Sequence, residues 1–213
     1  MENKILCKLV NQELQTYNKT QWVINEWQIA AGEGDLCSRG WLYGYEHPLL
    51  AVLLNPIHAN IENPRLFAIR VGEIIKNDAG LKFGSNKMRL THELELPQVT
   101  LEPRIKFGIL CALEVCQDEA FVTCATGWLS GADRSQKAAA AAYYAAWAAT
   151  DAADAAAYYA AWAATDAADA AAWAASAASA AWAASDAADA AYYAAWAAGK
   201  KIDLIAIAKK AVE

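Results

Sequence analysis

The sequence predicts an α+β N-terminal domain followed by one very long Ala-rich α-helix and a short C-terminal helix. Two observations carry this reading. Up to about residue 131 the chain mixes short alternating stretches with compact apolar runs. From Lys137 to Gly199 it is Ala, broken only by aromatics, Asp, Thr and Ser. The fifteen letters AAYYAAWAATDAADA from Ala141 recur unchanged from Ala156, and looser copies follow. The expected boundaries are 1–131 for the mixed domain, 132–198 for the repeat helix and 199–213 for a short amphipathic helix.

Ile5 to Val10 reads as a first strand, and TQWVINEWQI (Thr20 to Ile29) as one or two more. Gly32-Glu33-Gly34-Asp35 is a turn. Pro48 suits the first turn of a short buried helix, LLAVLL, which Asn55-Pro56 ends. Leu66 to Val71 and Leu81 to Phe83 are strands, separated by a turn at Lys76 to Gly80. Lys87 to Leu96 alternates, with Met88, Leu90, His92, Leu94 and Leu96 on one face and Arg89, Thr91, Glu93 and Glu95 on the other. Thr100 is a helix N-cap with Pro103 inside the first turn, and the helix runs to about Cys116. A second helix spans about Asp118 to Leu129. At the other end Ile202, Ile205 and Ala208 have helical spacing, and Lys200 and Lys201 suit a helix C-terminus.

Ala has the best helix propensity, and Ala-rich chains become helical alone beyond roughly 12–15 residues. No Gly or Pro lies between Gly131 and Gly199, so the expectation is a continuous rod, roughly 90–100 Å long at about 1.5 Å per residue. Tyr144, Trp147, Asp151, Asp154, Tyr158, Trp162, Thr165, Asp169, Trp173 and Ser176 step by three or four along one side. Trp182, Tyr193 and Trp196 extend the series. Each ring can bury on the order of 150–250 Å², more in total than the roughly 300–600 Å² apolar patch a monomer leaves open. The rings need a cover, and copies of the same helix are the expected one. Pairing antiparallel about Ala170 sets Tyr144 against Trp196 and Trp147 against Tyr193. A fifteen-residue slide reproduces much of the same matching.

Charge narrows the partners. The net charge is −6, and residues 138–198 hold six Asp with no Lys or Arg. Such a tail is not a nucleic-acid surface, since phosphate neutralisation needs cations. The Asp pairs also cut it into pieces too short to span a bilayer. Thr150 and Thr165 give only a compositional likeness to Ala-rich ice-binding helices. Five Cys without a CxxC, and no signal-peptide pattern at MENKILCKLV, point to reduced thiols in a cytoplasmic protein.

At LCSRGWLYGYEHPLLAVLLNPIHANIENPRLFAIRVGEI, continuing through MRLTHELELP and RIKFGILCALEV, the chain resembles a family of uncharacterised phage and bacterial proteins. In that family a domain of this kind precedes Ala-rich tails bearing Asp, Trp and Tyr. The resemblance covers roughly residues 1–135, matches the tail in style only, and implies phage or prophage origin, in the bacterial host's cytoplasm or associated with the virion, without an assigned activity.

Candidate chemistry in the N-terminal domain is sparse. Cys37 beside Arg39 could serve as a thiolate nucleophile with His47 or His58 as base. Trp41 and Tyr43 flank that segment, and His92 faces inward as a core histidine or a catalytic one. No HxxxH or HExxH spacing is present, so neither metal nor cofactor is expected. Glu93 or Glu95 on a strand loosely suggests an ADP-ribosyltransferase-like or other nucleotide-handling domain, a fold-level analogy. The favoured expectation is a non-enzymatic assembly protein that self-associates through its Ala-aromatic helix into a bundle or filament. Its self-association residues are Tyr144, Trp147, Asp151, Asp154, Tyr158, Trp162, Asp169, Trp173, Trp182, Tyr193 and Trp196.

Overall fold

A computed structural model describes residues 5–16, 19–36, 38–72, 76–135, 137–138, 162, 165–172, 180–198 and 202–213. It divides into two compact units, Met1–Gln98 and Val99–Glu213. The division puts the two helices after Gln98 with the Ala-rich segment, whereas composition alone sets a boundary at 131.

The first unit is built from antiparallel strands. β1 (Cys7–Val10), β6 (Arg65–Val71), β9 (Lys87–Leu94) and β4 (Gln28–Ile29) form one sheet in the order β1-β6-β9-β4. β5 (Leu42–Gly44), β8 (Lys82–Ser85) and β7 (Lys76–Asp78) form a second in the order β5-β8-β7. A small ribbon pairs β2 (Gln15–Thr16) with β3 (Thr20–Gln21). Cys7 and Tyr45 exchange backbone hydrogen bonds of 2.9 Å in both directions and so join the two sheets into a half-barrel. That double seam explains why all four residues of β1 are buried. The core holds Val10, Trp22, Phe67, Ile69, Phe83, Met88 and Leu90. Trp22 satisfies its indole N–H by donating to Thr16 Oγ1 at 3.0 Å. α1 (Pro48–Leu53) buries Leu50, Ala51, Val52 and Leu53, and α2 (Asn55–His58) follows after a single residue.

One strand departs from its sequence pattern. Phe67 pairs with Glu93 but Ile69 pairs with Leu90, so Ala68 alone faces both Thr91 and His92. This is a β-bulge, and an extra residue reverses the alternation beyond it. His92 is therefore exposed, not inward-facing as the alternation implies.

The second unit is helical: α3 (Leu101–Leu113), α4 (Glu119–Ser130), α5 (Ala180–Ala197) and α6 (Leu204–Val212). Asp118 caps α4 by accepting from Phe121 N at 2.9 Å, and Asp203 caps α6 by accepting from Ile205 N and Ala206 N. Thr100 sits at the expected cap of α3 but makes no side-chain capping bond. α6 buries Leu204, Ala208 and Ala211, a face rotated from the expected Ile202, Ile205 and Ala208.

The single rod over 132–198 is not what the chain forms. The longest helix among the described residues is α5, 18 residues. Helical residues 165–172 run antiparallel to it: as one segment ascends through Trp162 and Asp166, its partners descend through Tyr193 and Asp189. The very long helix, and with it the rod-built bundle and filament, is corrected by this arrangement. The physical reason is local supply. Aromatic and Ala faces complementary to one another already lie within one chain, and an intramolecular partner has an effective concentration no second molecule matches. Absence of Gly and Pro removes the usual signs of a break without holding a helix straight.

α5 also lies against α3, with Ala183, Ala187, Ala190, Ala191 and Ala194 all essentially inaccessible. The closest approach is at Gly108. A Cβ placed there would stand 2.7 Å from the Ala187 carbonyl oxygen and 2.9 Å from its Cα. Gly127 in α4 has no such constraint, since its added Cβ would meet nothing nearer than Asp133 Cβ at 3.6 Å. Both are helical glycines, for which propensity alone favours Ala by about 1 kcal/mol. Gly127→Ala should therefore raise stability by about 0.5–1 kcal/mol in denaturant unfolding. Gly108→Ala should lower it by about 1–3 kcal/mol as the methyl overpacks the α3–α5 contact. Stabilisation by both would mean the two helices are not in contact.

Candidate functional site

Among the described residues, those singled out in the first unit make separate contacts. Cys37 lies outside the described residues. Arg39 is exposed. Trp41 is buried, donates its indole N–H to Gly34 O at 3.0 Å and carries Lys76 over its ring at 5.5 Å. Tyr43 donates to Ser38 O at 2.8 Å and has Lys82 over its ring at 5.4 Å. His47 is a helix cap, its Nδ1 accepting from Leu49 N at 3.1 Å. Glu93 forms a two-pronged pair with Arg65, at 2.9 and 2.6 Å. That pairing occupies one of the two carboxylates on which the nucleotide-handling analogy leaned; the other, Glu95, is exposed just past the end of β9.

His58 does have a chemical neighbourhood. Its Nδ1 lies 3.0 Å from Tyr45 Oη, and the two rings stack at 5.8 Å between centroids. Burial, helped by the Lys82 charge, pushes His58 down to about 3. Burial first and Cys7 second push Tyr45 well above the phenol range, and burial pushes Cys7 up to about 12. At neutral pH this cluster is an uncharged imidazole, a phenol and a thiol, which hold the seam between the two sheets. Neither thiolate nor phenolate is available there. Lys8, next to Cys7, is buried, donates to Tyr43 O at 2.7 Å and is lowered by burial to about 8.

In the second unit burial raises Cys111, Cys116 and Cys124, so none of these thiols is poised as a nucleophile. Among the described residues no group of three His, Cys, Asp or Glu side chains is placed to hold a metal ion. No described helix is long and apolar enough to cross a membrane.

The constellation that stands out is the antiparallel helical pair. Trp162 and Tyr193 lie 6.0 Å apart between ring centroids, and Tyr192 makes an edge contact with Tyr193 at 5.4 Å. This register is the fifteen-residue slide of the pairing in which Tyr144 meets Trp196. Next along the pair comes a carboxylate layer of Asp166, Asp169, Asp186 and Asp189. Burial raises all four. Asp166 is pushed up to about 8, by burial and then by Asp189, Asp186 and Asp169. Asp186 is pushed up to about 6, by burial and then by Asp169 and Asp189. Of the residues first singled out for association, Trp162, Asp169 and Tyr193 meet here, whereas Trp182 and Trp196 stay exposed at 68% and 46%. Tyr144, Trp147, Asp151, Asp154, Tyr158 and Trp173 lie outside the described residues. Asp166, Asp186 and Asp189 were missed as a cluster, although Asp166 with Asp169 and Asp186 with Asp189 each have the spacing that shares one helix face.

In comparisons with known proteins, no family model, no curated protein and no solved structure matches the chain. The resemblance to phage and bacterial proteins therefore rests on its quoted residues.

The carboxylate layer carries a signed pH dependence. These Asp have folded values above the unfolded value of about 3.9, so the folded state binds more protons. Their contribution is complete below about pH 4 and is lost as pH rises towards 8. Thermal unfolding of the second unit should occur at a Tm roughly 5 °C higher at pH 5 than at pH 8. The pair Asp166→Asn and Asp186→Asn should flatten that slope. A Tm that instead falls on acidification, with the same slope in the double variant, would contradict the buried layer.

Proposed function

We propose that the protein is a non-enzymatic assembly protein whose Ala-aromatic segment is a self-association module. The observation that supports this most is the antiparallel match of Trp162 with Tyr193, in which one copy of the repeat covers another. A surface complementary to its own repeat is complementary to the same repeat in a second chain. α5 keeps such a surface open. Trp182 and Trp196 are fourteen residues apart, close to four turns, and so share one side of the helix. Tyr192 stands beside Trp196 at 6.2 Å between ring centroids.

Magnitude sets the expected form. The exposed parts of the two indoles amount to roughly 70–170 Å² each. Two protomers pairing about a two-fold axis would bury roughly 300–600 Å² from these rings alone, a quarter to a half of a stable interface of about 1,200 Å². Flanking Ala and Ser must supply the rest. The association is accordingly a small closed oligomer of modest affinity rather than an open polymer.

Light scattering across a dilution series tests this. The unmodified chain should show a mass above that of one protomer at high concentration and fall towards it on dilution. Trp182→Ser with Trp196→Ser should leave helicity unchanged by circular dichroism and give one protomer's mass throughout. A single-protomer mass for the unmodified chain at every concentration would defeat the proposal, as would an oligomer that ignores the double substitution.

A further inference from the structure

The outer edge of the first unit presents a surface of different chemistry. Four large apolar side chains crowd the approach to β4 and remain exposed: Val23 at 45%, Ile24 at 39%, Trp27 at 39% and Ile29 at 74%. β4 is the end strand of its sheet, paired with β9 on one side only. Cations frame it. Lys87 Nζ and Arg89 Cζ lie 4.7 and 4.8 Å from the Trp27 ring centroid. Arg70 is exposed and pairs across the strands with Arg89, a like-charge juxtaposition that costs energy when nothing lies between. Among the described residues no acid forms an ion pair with Arg70, Lys87 or Arg89, and the buried Arg89 Nε has no hydrogen-bond partner.

We infer that this edge is a docking site for an acidic, extended segment of a partner protein, added alongside β4 so that every second residue, aliphatic and acidic in turn, meets the face that carries Trp27, Ile29, Lys87 and Arg89, with Arg70 behind Arg89. An open edge offers backbone pairing for affinity, and the side chains beside it supply selectivity. Charge complementarity chooses the occupant. A second copy of this edge would bring the same three cations against themselves. A nucleic acid would meet the cations, but Val23, Ile24 and Ile29 have no counterpart on a phosphate backbone. An acidic strand with aliphatic residues answers both halves of the surface. This site is independent of the helical self-association.

The probe is a fluorescein-labelled ten-residue Glu/Val peptide with Ser at every second position, so that Glu and Val alternate on one face, followed by anisotropy against the 213-residue chain. It should bind, and binding should weaken roughly tenfold between 50 and 300 mM salt, as rim charges dictate. Arg70→Glu with Lys87→Glu, both at exposed positions, should abolish binding of that peptide and create binding of the matching Lys/Val peptide. Ile29→Ser, which removes the apolar contact without adding charge, should weaken the Glu/Val peptide at least fivefold with the thermal transition unchanged. Failure of the Glu/Val peptide to bind at low salt would overturn the inference. Tighter binding of oligothymidylate than of the peptide would also overturn it, in favour of a nucleic-acid surface. Loss of oligomer mass in Ile29→Ser would assign the edge to a second copy instead.

Discussion

Everything in the 99–213 unit depends on how closely two helix backbones can approach at Gly108 and Ala187. With a hydrogen in place of a side chain on one helix and a methyl on the other, a hypothetical Cβ would come within 2.7 Å of a carbonyl oxygen. Helices with ordinary side chains pack at about 8–10 Å between axes, and small residues take the short end of that range. An Ala surface is thus a specific partner for a glycine on α3, and dispersion over many close atoms replaces the large hydrophobes a helix pair normally uses. The same Ala content leaves α5 with a second low-relief face, against which helical residues 165–172 lie with Ala167, Ala168, Ala170 and Ala171 buried.

Setting carboxylates between such helices opposes that packing. A buried Asp costs free energy unless it is paired or protonated, and residues 138–198 supply no cation. Protonation is the remaining route, which is why burial drives Asp166 to about 8 and Asp186 to about 6. The layer also bears on register. A fifteen-residue repeat can slide by one period at little cost, so the repeat alone does not choose between partners. Within one chain the register is taken by Trp162 with Tyr193 and by Asp166 with Asp189, aromatic on aromatic and acid on acid.

Much of the first unit was legible because its cues are local. Pro48 opened a helix, and the Leu66–Val71 run became β6. His92 was misread because a bulge is a tertiary event. Nothing in MRLTHEL says that Ala68 will face two residues. The joining of β1 to Tyr45 was equally hidden, since it unites segments 38 residues apart. In the tail the described residues are largely helical, as composition implies, and of the aromatic stripe Trp162 and Tyr193 cover one another while Trp182 and Trp196 stay exposed. What composition cannot convey is whether the cover comes from the same molecule. That choice depends on Gly108, a residue in a different helix whose role shows only once Ala187 lies against it. The exposed edge at β4 was missed for a related reason: Trp27, Lys87 and Arg89 are unremarkable until strand pairing sets them side by side.

The central claim is that the Ala-rich segment folds against itself within one chain. Nitroxide labels at Asp166→Cys and Asp189→Cys, on a chain whose native thiols are first replaced by Ser or Ala, measure this directly. Magnetic dilution with unlabelled protein restricts the signal to intrachain pairs. Helices packed side by side predict an interspin distance of roughly 10–20 Å, the packing distance plus the label arms. One continuous helix would hold the two sites about 35 Å apart, and that longer distance would contradict the account.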